Sequence, residues 1–135
     1  MGHGAGLILL DTHVFVWLAA AHERLSAAAL EAVDSEPERA ICLVSVQELA
    51  YLAVRGRLAM DRPVDKWVGD ALGVLEARAL PPTVATSIRA GSLDPQEFHG
   101  DPIDRLIYAT AVEHDALLVT ADKRLRQFDP ERTVW

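Results

Sequence analysis

Apolar positions along this chain fall into two kinds of run. Some are short and unbroken, at strand length; others place an apolar residue at every third or fourth position, as one face of a helix does. Leu7–Leu10 is unbroken and predicts a fully buried strand, after which Asp11-Thr12 starts a helix through Phe15, Val16 and Leu18. Ser26 is placed as an N-cap, with Leu25 and Leu30 as a hydrophobic staple. Glu36-Pro37-Glu38 is a polar turn, and Ala40–Val44 predicts the second strand. Ser45 starts a helix carrying Val46, Leu49, Ala50 and Leu52, which Gly56 ends or bends. Val64, Trp67, Val68, Ala71 and Leu72 form the next amphipathic pattern, opened by Pro63 and closed by Gly73. Val74–Leu80 is a weaker strand stopped by Pro81-Pro82. Thr83 caps a short helix through Ile88, and Gly91–Gly100 is a loop.

The stretch from His99 to Asp122 is the densest in signals. Asp101-Pro102 has a capping residue followed by a proline in the first turn. Ile103, Leu106, Ile107, Thr110 and Ala111 then recur at helical spacing until His114-Asp115 breaks the pattern. Ala116–Val119 is a short apolar run suited to a buried parallel strand. Thr120-Ala121-Asp122 ends it and starts another helix, and Thr133–Trp135 is a last strand at the sheet edge. Strands alternating with helices predict a three-layer α/β/α domain with a mainly parallel central sheet. No repeat or linker divides residues 1–135, so a single domain is expected.

Composition narrows the possibilities. Half of the 135 residues are apolar, enough for a packed core. The formal charge of −7 excludes a broad basic surface as the source of nucleic-acid affinity. Arg55, Arg57, Arg62 and Lys66 are the densest basic cluster, either a rim for a polyanion or a solvated surface. Cys42, the only cysteine, lies in an apolar run and is expected to be buried. The longest apolar run, Val14–Ala21, is too short to span a membrane, and no leader pattern precedes it. A soluble cytoplasmic protein is expected, with Met1–Gly6 a flexible start.

Four acidic residues carry the candidate chemistry: Asp11, Glu48, Asp104 and Asp122. Each also has a capping explanation. Asp11 and Asp122 precede helices, Ser45-x-x-Glu48 matches a capping box, and Asp104 stands three residues after Asp101. In a right-handed β-α-β sheet, however, strand ends and helix starts lie on one edge, so all four carboxylates face one cleft. Crowded carboxylates repel unless a cation neutralises them. Oxygen donors without a Cys–His pattern select a hard ion, Mg²⁺ or Mn²⁺. Such a site suits phosphodiester hydrolysis.

The segments LILLDTHVFVWL, SVQELAYL and DPIDRLIYATA followed by LLVTAD resemble, in order and spacing, the PIN-domain ribonucleases, in particular the VapC type of toxin. The resemblance implies a Mg²⁺-dependent endoribonuclease with Asp11, Glu48, Asp104 and Asp122 as its acidic set. It also implies an RNA substrate, a homodimer, and an antitoxin protein that blocks the cleft. Asp101 matches an extra aspartate of a subset of that family and is read as a cap or supporting group. Thr12 and Thr120 either cap helices or bond a phosphate or metal water. Arg105 either touches RNA phosphate or pairs with Asp101. His13 and His99 are expected at the surface, and Trp17, Trp67 and Trp135 in the core or an interface. Two rivals remain. A haloacid-dehalogenase-like phosphatase wants a second aspartate where His13 stands; a phospho-receiver domain lacks its acidic pair here. A non-catalytic PIN-like binding module predicts a broken acidic set, and this one is intact.

Overall fold

The computed structural model describes residues 6–135; the expectation for the first residues therefore lies, but for Gly6, outside them. Among the described residues are five strands and seven α-helices. The strands are β1 (Leu7–Leu10), β2 (Glu38–Cys42), β3 (Ala77–Leu80), β4 (Leu117–Val119) and β5 (Thr133–Val134). They form one sheet in the order β3-β2-β1-β4-β5, and every pairing is parallel. The helices are α1 (Thr12–Ala20), α2 (Ala27–Ser35), α3 (Val44–Val54), α4 (Val64–Leu75), α5 (Val84–Ser92), α6 (Pro102–Glu113) and α7 (Lys123–Phe128).

β1 sits between β2 and β4, and a strand buried on both faces has no use for polar residues. All four of its residues are buried accordingly. Ile8 and Leu10 face one hydrophobic cluster with Phe15, Leu18, Val33, Leu49, Trp67 and Val68. Leu7 and Leu9 face the other, with Phe98, Ile107, Tyr108, Ala111 and Leu125. The two cores separate α1, α2 and α4 from α6 and α7, which is the three-layer arrangement expected from the sequence.

Most boundaries fall where the pattern puts them, with three instructive shifts. β2 begins at Glu38 and ends at Cys42, two residues earlier than the apolar run suggests. Register decides this: Glu38 and Arg39 pair with Leu7 and Ile8, and Glu38 N–H donates to the Gly6 carbonyl. Their polar ends are tolerated because Glu38 meets Arg78 at 3.6 Å and Arg39 donates to the Leu75 carbonyl at 3.2 Å. Leu43 then takes a helical conformation as the residue before α3, so Ser45 lies inside that helix. The expected Ser45–Glu48 capping box is therefore not formed. α4 runs through Gly73 and closes at Glu76, in the left-handed region at φ 52°, leaving only Ala77–Leu80 to β3. α5 continues past Ile88 to Ser92, held at its start by reciprocal bonds between Thr83 and Thr86.

The chain leaves β1 towards β2 and β3, then returns through α5 and α6 to place β4 on the other side of β1. The strand order thus reverses between β1 and β4, and the crevice beyond their carboxyl ends is the usual ligand position in such sheets. No helix among the described residues is long and apolar enough to cross a membrane.

Candidate active site

Four chain segments arrive at that crevice with acidic residues. Asp11 follows β1 directly; its amide bonds to the Val119 carbonyl of β4 at 3.0 Å, tying the two strand ends together. Its Oδ1 accepts the Thr12 amide at 2.8 Å and its Oδ2 accepts the Thr120 hydroxyl at 2.6 Å. Thr120 in turn accepts the Asp122 amide at 3.0 Å, so one buried hydroxyl fixes both acids. Asp122 caps α7 with Oδ1, which accepts the Arg124 amide at 2.8 Å, and leaves Oδ2 turned to the cleft. Capping and cleft placement are thus not alternatives: Asp122 caps with one oxygen and turns the other to the cleft, and Asp11 lines the cleft while both of its oxygens are held.

At the start of α6 the two roles are divided between two residues. Asp101 is the cap, accepting the amides of Ile103 at 2.9 Å and Asp104 at 3.3 Å. Asp104 has no capping duty and projects into the cleft, its side chain 15% exposed. Glu48 comes from the second turn of α3, half-buried. Asp11, Glu48, Asp104 and Asp122, with Asp101, His13, Val14, Trp17 and Ala121, line one cleft of about 430 Å³. All four sequence-derived acids are brought together there.

The electrostatics of this cleft are those of buried, crowded acids. Burial, followed by the charges of Asp11, Asp101, Asp122 and Glu48, pushes the Asp104 carboxyl up to about 8. Burial also raises Asp11, although its bonds from Thr120 and Thr12 and the nearby His13 draw it partly back. Glu48 is raised by burial and then by Asp11 and Asp101. A bond from Thr12 works against that rise, but the Thr12 hydroxyl also donates to Ser45 Oγ at 2.8 Å, and one proton cannot serve both. Thr12 and Thr120 are both buried, so they brace the acids and do not reach outward to a phosphate.

His99 departs from expectation. It is not at the surface: its side chain is 14% exposed and stacks on Phe98, ring centroids 5.0 Å apart. Its Nε2 lies 3.3 Å from Asp104 Oδ2 and 4.0 Å from Asp122 Oδ2, yet without hydrogen-bonding geometry to either. His99, Asp104 and Asp122 offer one ligand atom each within 4.8 Å of one another. Crowded carboxylate oxygens beside an unpartnered buried nitrogen are a donor set that fits a divalent cation. The only local signal for His99 in the sequence was its place two residues before the Asp101 cap.

Arg105 fulfils neither of its expected roles. Its guanidinium donates to the carbonyls of His99, Ala90, Leu93 and Phe98, at 2.9 to 3.0 Å. It therefore knits the loop after α5 and, through the His99 carbonyl, sets where that imidazole stands. Three of the four residues of the basic cluster are likewise occupied. Arg62 pairs with Asp61 and Asp70 at 2.8 Å, Lys66 reaches Asp70 at 3.1 Å, and Arg55 covers the Tyr51 ring at 3.5 Å. Trp67 is core, packed edge-on against Phe15, whereas Trp17 lines the cleft and meets Trp135 at 5.8 Å between ring centroids.

Comparison with known proteins gives the family and the fold. Residues 8–130 match the model of the PIN domain family. The chain is 42% identical over 130 residues to Ribonuclease VapC22 of Mycobacterium tuberculosis, covering 95% of this chain and 98% of that protein. Two solved structures share the fold. A toxin–antitoxin complex from Klebsiella pneumoniae aligns with a TM-score of 0.65 at 21% identity, over 95% of this chain and 96% of the other. VapBC2 from Rickettsia felis, bound to a DNA fragment from its promoter, aligns with a TM-score of 0.66 at 17% identity, over 95% and 97%.

Proposed function

The chain belongs to the PIN-domain family, and on that premise we propose that it is a metal-dependent endoribonuclease acting as the toxin of a toxin–antitoxin pair in the cytoplasm. The observation that carries the reading is the convergence of Asp11, Glu48, Asp104 and Asp122 on one cleft at the β1–β4 switch point. We assign these four as the metal-holding and catalytic residues, with Mg²⁺ or Mn²⁺ as the ion. A bound divalent ion supplies a water of lowered pKa and offsets charge developing on the phosphate oxygens.

The chain's own residues prepare the site for that chemistry. Thr120 fixes Asp11 and Asp122 relative to each other, and Asp101 relieves Asp104 of capping. The raised Asp104 carboxyl marks burial and like-charge repulsion that are kept in the folded protein, as functional sites commonly do. The cleft these braces hold is acidic, so substrate entry has to overcome like-charge repulsion between RNA and protein.

The antitoxin assignment rests on the same cleft. Crowded carboxylates attract an inserted arginine, which pairs bidentately where a cation otherwise sits. A homodimer is part of the proposal by family membership. The test is cleavage of RNA with Mg²⁺ or Mn²⁺ and with EDTA. Cleavage only with the ion supports the assignment. Cleavage unchanged in EDTA, or hydrolysis of a small phosphomonoester with none of RNA, overturns it.

A further inference from the structure

A net charge of −7 and a cleft walled by carboxylates leave the source of RNA affinity unexplained. Three of the four residues in the densest basic cluster are already engaged, Arg62 and Lys66 by Asp61 and Asp70, and Arg55 by Tyr51. What the cleft does offer along α1 is aromatic surface. His13, two residues from Asp11, is exposed on the first turn of α1. Trp17 stands one turn on, its ring centroid 5.9 Å from that of His13, and both line the acidic cleft. Trp135 continues the strip at 5.8 Å from Trp17, and the Arg24 guanidinium covers the Trp17 ring at 4.6 Å.

We propose that His13 and Trp17, backed by Trp135 and Arg24, form a stacking platform for an unpaired RNA base next to the scissile phosphate. This rests on the ribonuclease reading and makes single-stranded RNA its substrate class. Stacking suits an acidic protein, because base–aromatic contact does not depend on neutralising phosphates and every base has a π-face. Arg24, over the Trp17 ring and outside the lining of the acidic cleft, adds one cation to attract the strand. A duplex presents no free base face to such a strip, so paired RNA is excluded by shape. Trp67, by contrast, is sealed in the core and takes no part.

The test uses Asp104→Asn protein to measure binding without turnover, with Trp fluorescence as the readout. The ligands are a short single-stranded oligoribonucleotide, its duplex, and the same strand carrying one abasic nucleotide. The single strand should quench tryptophan emission, and the abasic strand and duplex should bind more weakly. His13→Ala, an exposed position that leaves the fold intact, and Trp17→Leu, checked by its melting temperature, should each weaken the single strand by about 5- to 100-fold while leaving the abasic strand unchanged. In the active background the same changes should raise KM far more than they lower kcat.

If wild type cleaves RNA with Mn²⁺ and both variants bind and cleave as wild type does, the stacking platform is wrong and the ribonuclease reading stands. If no RNA is bound or cut at all, both fall. Equal binding of the abasic and intact strands overturns the platform, as does quenching of Trp17 by a basic partner peptide and not by RNA.

Discussion

Replacing Asp104 by asparagine separates a ligand from a structural acid. In the folded protein burial and the charges of Asp11, Asp101, Asp122 and Glu48 raise this carboxyl from 3.8 to about 8. Between those pH values the folded state keeps a proton that the unfolded chain has released. Stability without metal therefore falls as pH climbs from about 4 to 8 and levels off above. At roughly 1.4 kcal/mol for each pH unit, the whole displacement is a ceiling of about 6 kcal/mol. Water and counter-ions in an open cleft screen much of it, so about 1–3 kcal/mol is expected at pH 8. Asn keeps the shape of the side chain and removes the charge. The helix start is unaffected because Asp101 holds the cap, and the lost interaction with the α6 dipole costs about 0.3–1 kcal/mol.

The expected outcome in EDTA is a mutant that melts with wild type near pH 4 and above it by roughly 3–10 °C at pH 8, for a chain of this length. Added Mn²⁺ should reverse the order, since wild type gains about 2.7 kcal/mol at a hundredfold excess over Kd and the mutant gains less. RNA cleavage should be lost. Melts by circular dichroism across pH, with EDTA and with Mn²⁺, beside a cleavage assay, give every quantity needed. A mutant that melts below wild type at pH 8 in EDTA, or a difference that does not change with pH, refutes the repulsion argument. Retained cleavage refutes the ligand role.

Three further outcomes are expected. EDTA should abolish RNA cleavage and Mg²⁺ or Mn²⁺ restore it, read on a labelled transcript; activity indifferent to chelation is incompatible with the carboxylate site. The complex with the antitoxin should weaken as salt rises and should compete with Mn²⁺, measured by titration calorimetry; insensitivity to both places the partner elsewhere. Arg105→Ala should destabilise the protein by about 2–4 kcal/mol in urea unfolding, because four carbonyls lose their donor at once. It should also weaken Mn²⁺ binding through the displaced His99; a change below ~0.5 kcal/mol contradicts the knitting role assigned to it.

Local chemistry alone determined much of this protein. An unbroken LILL run can only be buried on both faces, and Asp101-Pro102 and Ser26 form caps from bonds reaching two or three residues. The alternation of strand and helix then forces a parallel sheet, whose handedness brings Asp11, Glu48, Asp104 and Asp122 to one edge. Contacts distant in sequence decided the rest. β2 starts at Glu38 because its register is set by β1, more than thirty residues earlier, and not by its own hydrophobicity. Glu48 is freed from capping because Leu43 leaves the strand early. Arg105 serves carbonyls up to fifteen residues away, and the loop it gathers turns His99 inward onto Asp104. Trp17 shares an apolar pattern with core residues, and only the tertiary structure places it in the lining of the acidic cleft, with Trp135 and Arg24 packed against its ring. Periodicity records which face of an element is apolar, but a long side chain finds its partners in three dimensions, where the closing of the sheet puts them.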